Sequence, residues 1–415
     1  MDNDNRFVTG LDVGTENVRA VIASINKEGE IAIVGYNEGK SAGMRKGIPA
    51  NLAGPAGAID KMLGDAERMG GYDVRSAYVS INGSSILSTK TEGMIAVGTA
   101  EHEINDEDLN RVEDVAVSGR IPANRDVLDV IPLEYALDGQ GGIKDPIGMS
   151  GARLEIRANV ISALTPNCEN LKKATSAADV HADRLIPSVV AAAKAVLTDR
   201  QRENGVAVID FGATTTSVAV YEEGDLQYVG VVPAGSNHVT NDLAIVLAID
   251  PNLAEEIKVR FVTGNFDSDK SPVIKVGKEG KNERSFERKE VEAVVKARLE
   301  EIFSEVRKKL KSAKYDQRLP EGIVLTGGGA KMRDIEVFAK RALEASVKIG
   351  IPHGFGGVSD AVAKPEYATA IGLALIAASE SNYEPATSKK QKKAKKSKTP
   401  GQSPFNLIKK IFSKF

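Results

Sequence analysis

Residues 205–221 read GVAVIDFGATTTSVAVY, and the apolar run of Val206, Val208 and Ile209 ends at Asp210. After Phe211, Gly212 permits a sharp turn that a Cβ would hinder. Thr214, Thr215, Thr216 and Ser217 then supply hydroxyls, and residues 218–221 resume a strand. The stretch predicts a hairpin with an acidic strand end and a turn rich in N–H and O–H donors. Such a concave donor set suits a phosphate. The carboxylate would repel a phosphate directly, so its expected task is to hold the water shell of a Mg2+ ion. An ordinary hairpin would show the same local pattern.

The pattern occurs twice. Residues 8–22, VTGLDVGTENVRAVI, again give a strand, then Asp12, Gly14 and Thr15, then a strand. A third element, residues 323–330, reads IVLTGGGA and precedes the helical pattern MRDIEVFAKRALEA. Consecutive glycines at a strand-to-helix turn let the backbone lie flat against a ring or sugar.

Two such hairpins followed by a Gly-Gly-Gly turn resemble the actin, Hsp70 and sugar-kinase ATPase superfamily. The resemblance implies an α/β fold of two lobes closing on ATP and Mg2+. On its pattern Asp12, Gly14, Thr15, Asp210, Gly212, Thr214 and Thr215 face the phosphates and the metal. Asp12 and Asp210 would hold the metal through water. Glu16, Asn17, Arg19 and Ala213 share these turns, and Gly327, Gly328 and Gly329 would face the adenosine. Gly235, Ser236 and Asn237 open a helix that the superfamily places beside the terminal phosphate. Glu255 and Lys258 match its helix near the ribose and base, although a solvated helix face would read the same.

The stretch DPIGMSGARLE, residues 145–155, narrows the resemblance. It is similar to a hallmark of the bacterial FtsA cell-division family, in an extra subdomain inserted early in the first lobe. The implied organisation is a first lobe at residues 1–82 and 163–202, with the FtsA-type insert at 83–162. The second lobe has its core at 203–235 and 320–380 and its outer subdomain at 236–319. A disordered Lys-rich linker at 381–403 and an amphipathic membrane helix at 404–415 would follow.

Bulk properties agree. A chain of 415 residues, 42% hydrophobic and 27% charged, suits several structural units with a substantial core. One cysteine, Cys168, excludes an internal disulfide, and four scattered histidines have no metal-ligand spacing. The polar start MDNDNRF predicts no leader, and there is no run of about eighteen apolar residues to span a bilayer. The net charge of −2 hides ten lysines and no acid in residues 389–415, which leaves −12 for residues 1–388. An acidic body argues against nucleic acid, and the basic tail calls for its own partner.

Further elements are predicted along the chain. Residues 51–70 read as a helix, and 93–99 as a strand. Asn105 caps a helix with Asp106, Glu107 and Asp108 in its first turn, a capping pattern rather than a metal site. Residues 166–200 give two helical stretches. The second, rich in Ala and Val, pairs with residues 367–378, YATAIGLALIAA, and in the superfamily such helices cross at the hinge between lobes.

Residues 286–312 form a long amphipathic helix with an apolar stripe from Val291 to Val306. In the FtsA family the matching region binds the C-terminal tail of the tubulin-like protein FtsZ, which makes Lys296 and Arg298 the candidates. An ordinary surface helix is the alternative. In residues 404–415, PFNLIKKIFSKF, Phe405, Ile408, Ile411, Phe412 and Phe415 fall within an arc of about 120°. Lysines occupy the other side, as in an interfacial helix on anionic lipid.

The resemblance thus implies an ATP-binding protein that polymerises on the membrane. It would tether FtsZ to the cytoplasmic face of the inner membrane and recruit other division proteins at the division site. A PilM-like assembly protein or a small-molecule kinase of the same superfamily is the alternative. Hydrolysis needs a group that orients the attacking water. Actin has a histidine seven residues after its second hairpin's aspartate, and here that place is Ser217. Many family members have a lysine at the place of Asn17, and Arg19 is the nearest cation. The expectation is slow hydrolysis at most, with nucleotide acting as a structural switch.

Overall fold

A computed structural model describes residues 5–266, 271–278, 281–315 and 319–381. The linker expected at 381–403, apart from its first residue, and the residues expected to bind the membrane, Phe405, Ile408, Ile411, Phe412 and Phe415, lie outside them.

The chain opens with β1 (Arg6–Val13), β2 (Asn17–Ile25) and β3 (Ile31–Lys40), an antiparallel meander. Helix α1 (Ala53–Gly70) lays Ala56, Ile59, Met62, Leu63 and Ala66 on that sheet, the i, i+3, i+4 face its spacing predicts. Strand β4 (Ser76–Ile81) then runs parallel to β1.

The insert follows as β5 (Leu87–Ala96), α2 (Asp106–Val117), β6 (Arg125–Leu137), β7 (Gln140–Ile143) and β8 (Arg153–Leu164). Its four strands lie in the order β5-β8-β6-β7, with α2 packed on β5 and β8. Asn105 and Asp108 form a reciprocal capping box, so the acidic cluster serves the helix start. Such a cap stabilises a helix by about 1 kcal/mol. The predicted strand at 93–99 begins earlier, at Leu87, because β5 pairs with β8 along its whole length.

The first lobe resumes with α3 (Thr165–Ser176), β9 (His181–Pro187), α4 (Ser188–Val196) and α5 (Asp199–Asn204). The two helical stretches expected over 166–200 are thus divided by a strand. Strand β9 fills the gap between those stretches and pairs parallel with β4.

The second lobe begins with the hairpin of β10 (Val206–Phe211) and β11 (Thr216–Glu222), then β12 (Asp225–Val232). Helices α6 (Ser236–Val246) and α7 (Pro251–Phe261), strands β13 (Val273–Lys278) and β14 (Lys281–Glu287), and helix α8 (Arg288–Ser312) form the outer part. Strand β15 (Ile323–Thr326), helix α9 (Ile335–Leu343), strand β16 (Val347–Ile349) and helix α10 (Ala368–Ser381) complete the described chain.

The first-lobe sheet runs β9-β4-β1-β2-β3, extended by Gly356 and Gly357 beside β3; the second runs β12-β11-β10-β15-β16. The insert covers the edge strand β12, where an open ladder would invite pairing with another chain. Asn159 donates to Leu226 O at 2.8 Å, Lys90 to Gln227 at 2.7 Å and Lys144 to Asp225 at 2.7 Å.

Helices α4 and α10 pack closely against each other, as their small residues predict. A Cβ on Gly372 would stand 1.7 Å from the carbonyl oxygen of Ala191, so only glycine admits this crossing. At the far end of α10, Glu380 accepts from Tyr78 at 2.5 Å and pairs with Arg184, which reaches Asp129 of the insert at 3.5 Å.

Candidate nucleotide cleft

Asp12 lies near the end of β1 and Asp210 near the end of β10, so both carboxylates stand at the carboxyl ends of central strands. Open α/β sheets bind ligands on that side. Asp12 is raised above the ordinary carboxylate range by burial, against Arg19 3.9 Å away and a hydrogen bond from Ser80 at 2.8 Å. Asp210 is pushed up to about 6, first by burial and then by the charge of Asp12. Ser188 donates to it at 3.0 Å. Both carboxylates are raised by loss of water, and Asp210 also by the charge of Asp12; their hard oxygens fit Mg2+ held through water. Among the described residues no group of three or more His, Cys, Asp or Glu could enclose an ion directly.

The turns of the two hairpins meet across the cleft. Thr214 donates to the hydroxyl of Thr15 at 2.9 Å, and Asn237 donates to Glu16 at 2.6 Å. Burial opposes ionisation of Glu16, but hydrogen bonds from Lys40 and Asn237 outweigh it and lower its pKa. Gly47 N–H also reaches Thr15, at 3.0 Å. The N–H groups of Ser236 and Asn237 are taken by the carbonyls of Gly212 and Ala213 at 2.9 and 2.8 Å. Gly235–Asn237 therefore brace the second turn.

The glycine turn closes the same end of the cleft. Gly327 has φ +86, and a Cβ there would stand 2.4 Å from Asp210 Oδ1. Its N–H donates to Pro365 O at 3.1 Å. A Cβ on Gly328 would meet nothing within 4 Å, so this residue faces open space, whereas Gly329 abuts the Phe211 ring.

Other candidates fall differently. Lys258 is buried and donates to Thr240 at 2.9 Å and Glu255 at 2.7 Å, so it is not part of a solvated face. Glu255 also accepts from Thr240 at 2.5 Å. Arg19 donates to Glu38 at 2.8 Å with its guanidinium 5.6 Å from the Tyr367 ring. Asn17 stands opposite Lys40 in the β2–β3 ladder. Ser80, Asn82 and Ser188 were not foreseen as site residues; their signal was their place just inside or after strands that end at the cleft.

The partner candidates separate. Arg298 grips Asp242 of α6 through Nε at 2.6 Å and Nη2 at 3.1 Å. Lys296, two positions away, points to another flank, 3.9 Å from Glu300. The apolar stripe of α8 is committed to the core, with Val291, Val295, Leu299, Ile302, Phe303 and Val306 all fully buried. At about 1.5–3 kcal/mol per buried side chain, that stripe holds the lobe together and is not a docking face. Beside Arg298 lies a groove of about 290 Å³, lined by Asp242, Ile245, Val246, Val294 and Ala297, with Ile245 76% exposed. A larger cavity of about 310 Å³, rimmed by Arg307 and Glu344, lies at the opposite end of the sheet from Asp210.

The family model for the cell division protein FtsA matches residues 207–372, and the model for the SHS2 domain inserted in FtsA matches residues 83–162. Cell division protein FtsA of Pseudomonas aeruginosa is 33% identical over 372 residues, 89% of this chain and 89% of that protein. In fold, the chain is similar to the PilM–PilN type IV pilus biogenesis complex, with TM-score 0.65 and 17% identity over 89% of this chain and 98% of the other. It is also similar to MreB 5 of Spiroplasma citri bound to AMPPNP, with TM-score 0.52 and 15% identity over 89% and 95%. With paired acidic hairpins, the inserted four-stranded subdomain and this similarity across most of its length, the chain belongs to the FtsA family of actin-like cell-division proteins.

Proposed function

We propose that this protein binds Mg-ATP between its lobes, polymerises on the cytoplasmic face of the inner membrane, and tethers FtsZ there while recruiting other division proteins. The observation that carries the nucleotide reading is the pair of Asp12, largely buried, and Asp210, buried, flanked by donor-rich turns. MreB 5, of the same fold, holds AMPPNP, which supports a nucleotide here. When bound, Mg2+ would supply the positive charge that the two carboxylates lack. Thr15, Thr214, Glu16 and Asn237 now bond one another across the cleft, so entry of a nucleotide requires these contacts to part. A ligand that exchanges interlobe contacts for its own biases the angle between the lobes, which is what a structural switch needs.

Gly328→Val tests the adenosine turn. The added side chain enters open space, so folding should be undisturbed while the ligand is excluded. Calorimetry should show at least about tenfold weaker Mg-ATP binding, a loss of roughly 1.4 kcal/mol. Unchanged affinity would move the adenosine elsewhere.

For FtsZ the reading rests on the groove beside Arg298. An acidic and apolar tail finds there the exposed Ile245 and Val246, and beside them Arg298, whose bond to Asp242 it would have to share. Arg298→Glu should weaken binding of an FtsZ tail peptide by reversing the charge. It also sets a carboxylate against Asp242, so Ile245→Glu serves as a second variant on an exposed position. Both should lower peptide affinity by about tenfold or more in fluorescence anisotropy and leave Mg-ATP binding alone. Full peptide affinity in Ile245→Glu would place the tail on another surface.

A further inference from the structure

We infer that Asn82, together with Ser217, holds the water that attacks the terminal phosphate of ATP; the inference rests on the nucleotide reading above. Asn82 directly follows β4, beside β1 on one side and β9 on the other. Pro187 stands opposite Ile81 in the parallel ladder, so Asn82 and Ser188 leave the sheet side by side, close to Asp12.

The wiring of these groups is fully determined. Gly83 N–H can only donate, and it donates to Asn82 Oδ1 at 2.7 Å. This fixes the amide orientation, with Nδ2 donating to Ser188 Oγ at 2.9 Å. Ser188 in turn donates to the Asp210 carboxylate at 3.0 Å. From the other lobe, Ser217 donates its hydroxyl to Asn82 Oδ1 at 3.1 Å.

The wiring leaves one donor on Asn82 and one acceptor on the buried Ser217, two groups joined by a bond of 3.1 Å. Asn82 Nδ2 carries two hydrogens, and Ser188 takes one. Ser217 Oγ spends its hydrogen on Asn82 and keeps its lone pairs. A water that accepts from the amide and donates to Ser217 has one lone pair left to aim. The pair lies beside the metal-side carboxylates, and Ser217 stands directly opposite Asp210 in the β10–β11 ladder.

The chemistry asks no more than this. The water oxygen bonds to the terminal phosphorus while the bond from that phosphorus to the bridging oxygen breaks, and its electron pair leaves with ADP. One water proton passes to an oxygen of the released phosphate. Phosphoryl transfer through a loose transition state depends on positioning more than on a strong base. An amide and a serine can position, and neither has to accept the proton. Such a pair would allow turnover without a histidine at position 217.

The test uses the full chain with Asn82→Ala, Ser217→Ala and the double variant. Single-turnover hydrolysis of Mg-ATP is measured with protein in excess, alongside calorimetric affinity for Mg-AMPPNP and the melting temperature. Each single variant should lose about tenfold or more in turnover, and the double variant no more than the worse single, because the two groups hold one water. AMPPNP affinity should stay within about twofold of the parent, the split expected when only transition-state positioning is lost. Ser217→Ala leaves Asn82 held by Gly83, so it remains informative if Asn82→Ala does not fold.

Unchanged turnover with intact AMPPNP binding overturns the water-holding role alone. Loss of AMPPNP affinity in step with turnover also overturns it, because the residues would then only shape the cleft. A parent chain that binds AMPPNP but never hydrolyses ATP overturns it as well. A parent chain that does not bind Mg-AMPPNP overturns the nucleotide reading and this inference with it.

Discussion

Asp210→Asn is expected to weaken Mg-ATP binding by about 10- to 100-fold, the usual cost of losing a partner in a metal's outer shell. The same substitution should raise the melting temperature of the metal-free protein. Burial and the charge of Asp12 push Asp210 up to about 6, from an ordinary 3.8. The raised value means that the unfolded chain releases this proton first as pH rises. Stability of the metal-free parent should therefore fall between about pH 4 and pH 6 and stay level above that. At neutral pH the penalty is fully present, and a shift of about two units corresponds to at most about 3 kcal/mol. Asparagine keeps the shape without the charge and should recover part of it, a rise of a few degrees. Calorimetry and thermal melts at pH 4 to 8 check both halves. Undiminished Mg-ATP affinity would remove Asp210 from the metal site. A lower melting temperature would mean that the carboxylate supports the fold through its bond from Ser188.

The second large effect concerns residues 404–415. Removing them should abolish flotation with anionic liposomes while Mg-ATP affinity stays the same. Five large apolar residues on one arc and three lysines opposite them give the segment both terms of an interfacial helix. Each lysine near an anionic surface contributes up to about 1 kcal/mol, and salt should weaken that share. Twelve residues are too few for a stable free helix, so folding on the bilayer offsets part of the gain. Affinity of one copy should then be modest, and the proposed assembly would raise it by effective concentration, by about 10²–10⁴ for linked sites. Phe412→Glu should act in the same direction. If the truncated chain floats as well as the full chain, the anchor is elsewhere.

What could be read in the sequence was mostly local. The two hairpins, the glycine turn, the Asn105 cap and the tight helix pair each announce themselves within a few residues. Strand β9 did not, because its partner β4 is about a hundred residues earlier. The burial of Lys258 was equally hidden, since Thr240 on another helix holds it. Arg298 read as a free cation because its partner, Asp242, is 56 residues away. Asn82 read as a plain strand end. Its role depends on Ser188 and Ser217, 106 and 135 residues further along, which only the folded chain brings together.

The crossing of α4 and α10 has a consequence for how the chain can vary. The obstacle to a side chain at Gly372 is the carbonyl oxygen of Ala191, 1.7 Å from where a Cβ would lie. In an ordinary core contact, a larger residue on one side can be answered by a smaller one on the other. A carbonyl belongs to the main chain and stays whatever residue is written at position 191. The contact therefore has no reciprocal partner in sequence space, and no second-site suppressor at position 191 can restore it. Gly372 is closed to drift for as long as the two helices cross at this distance.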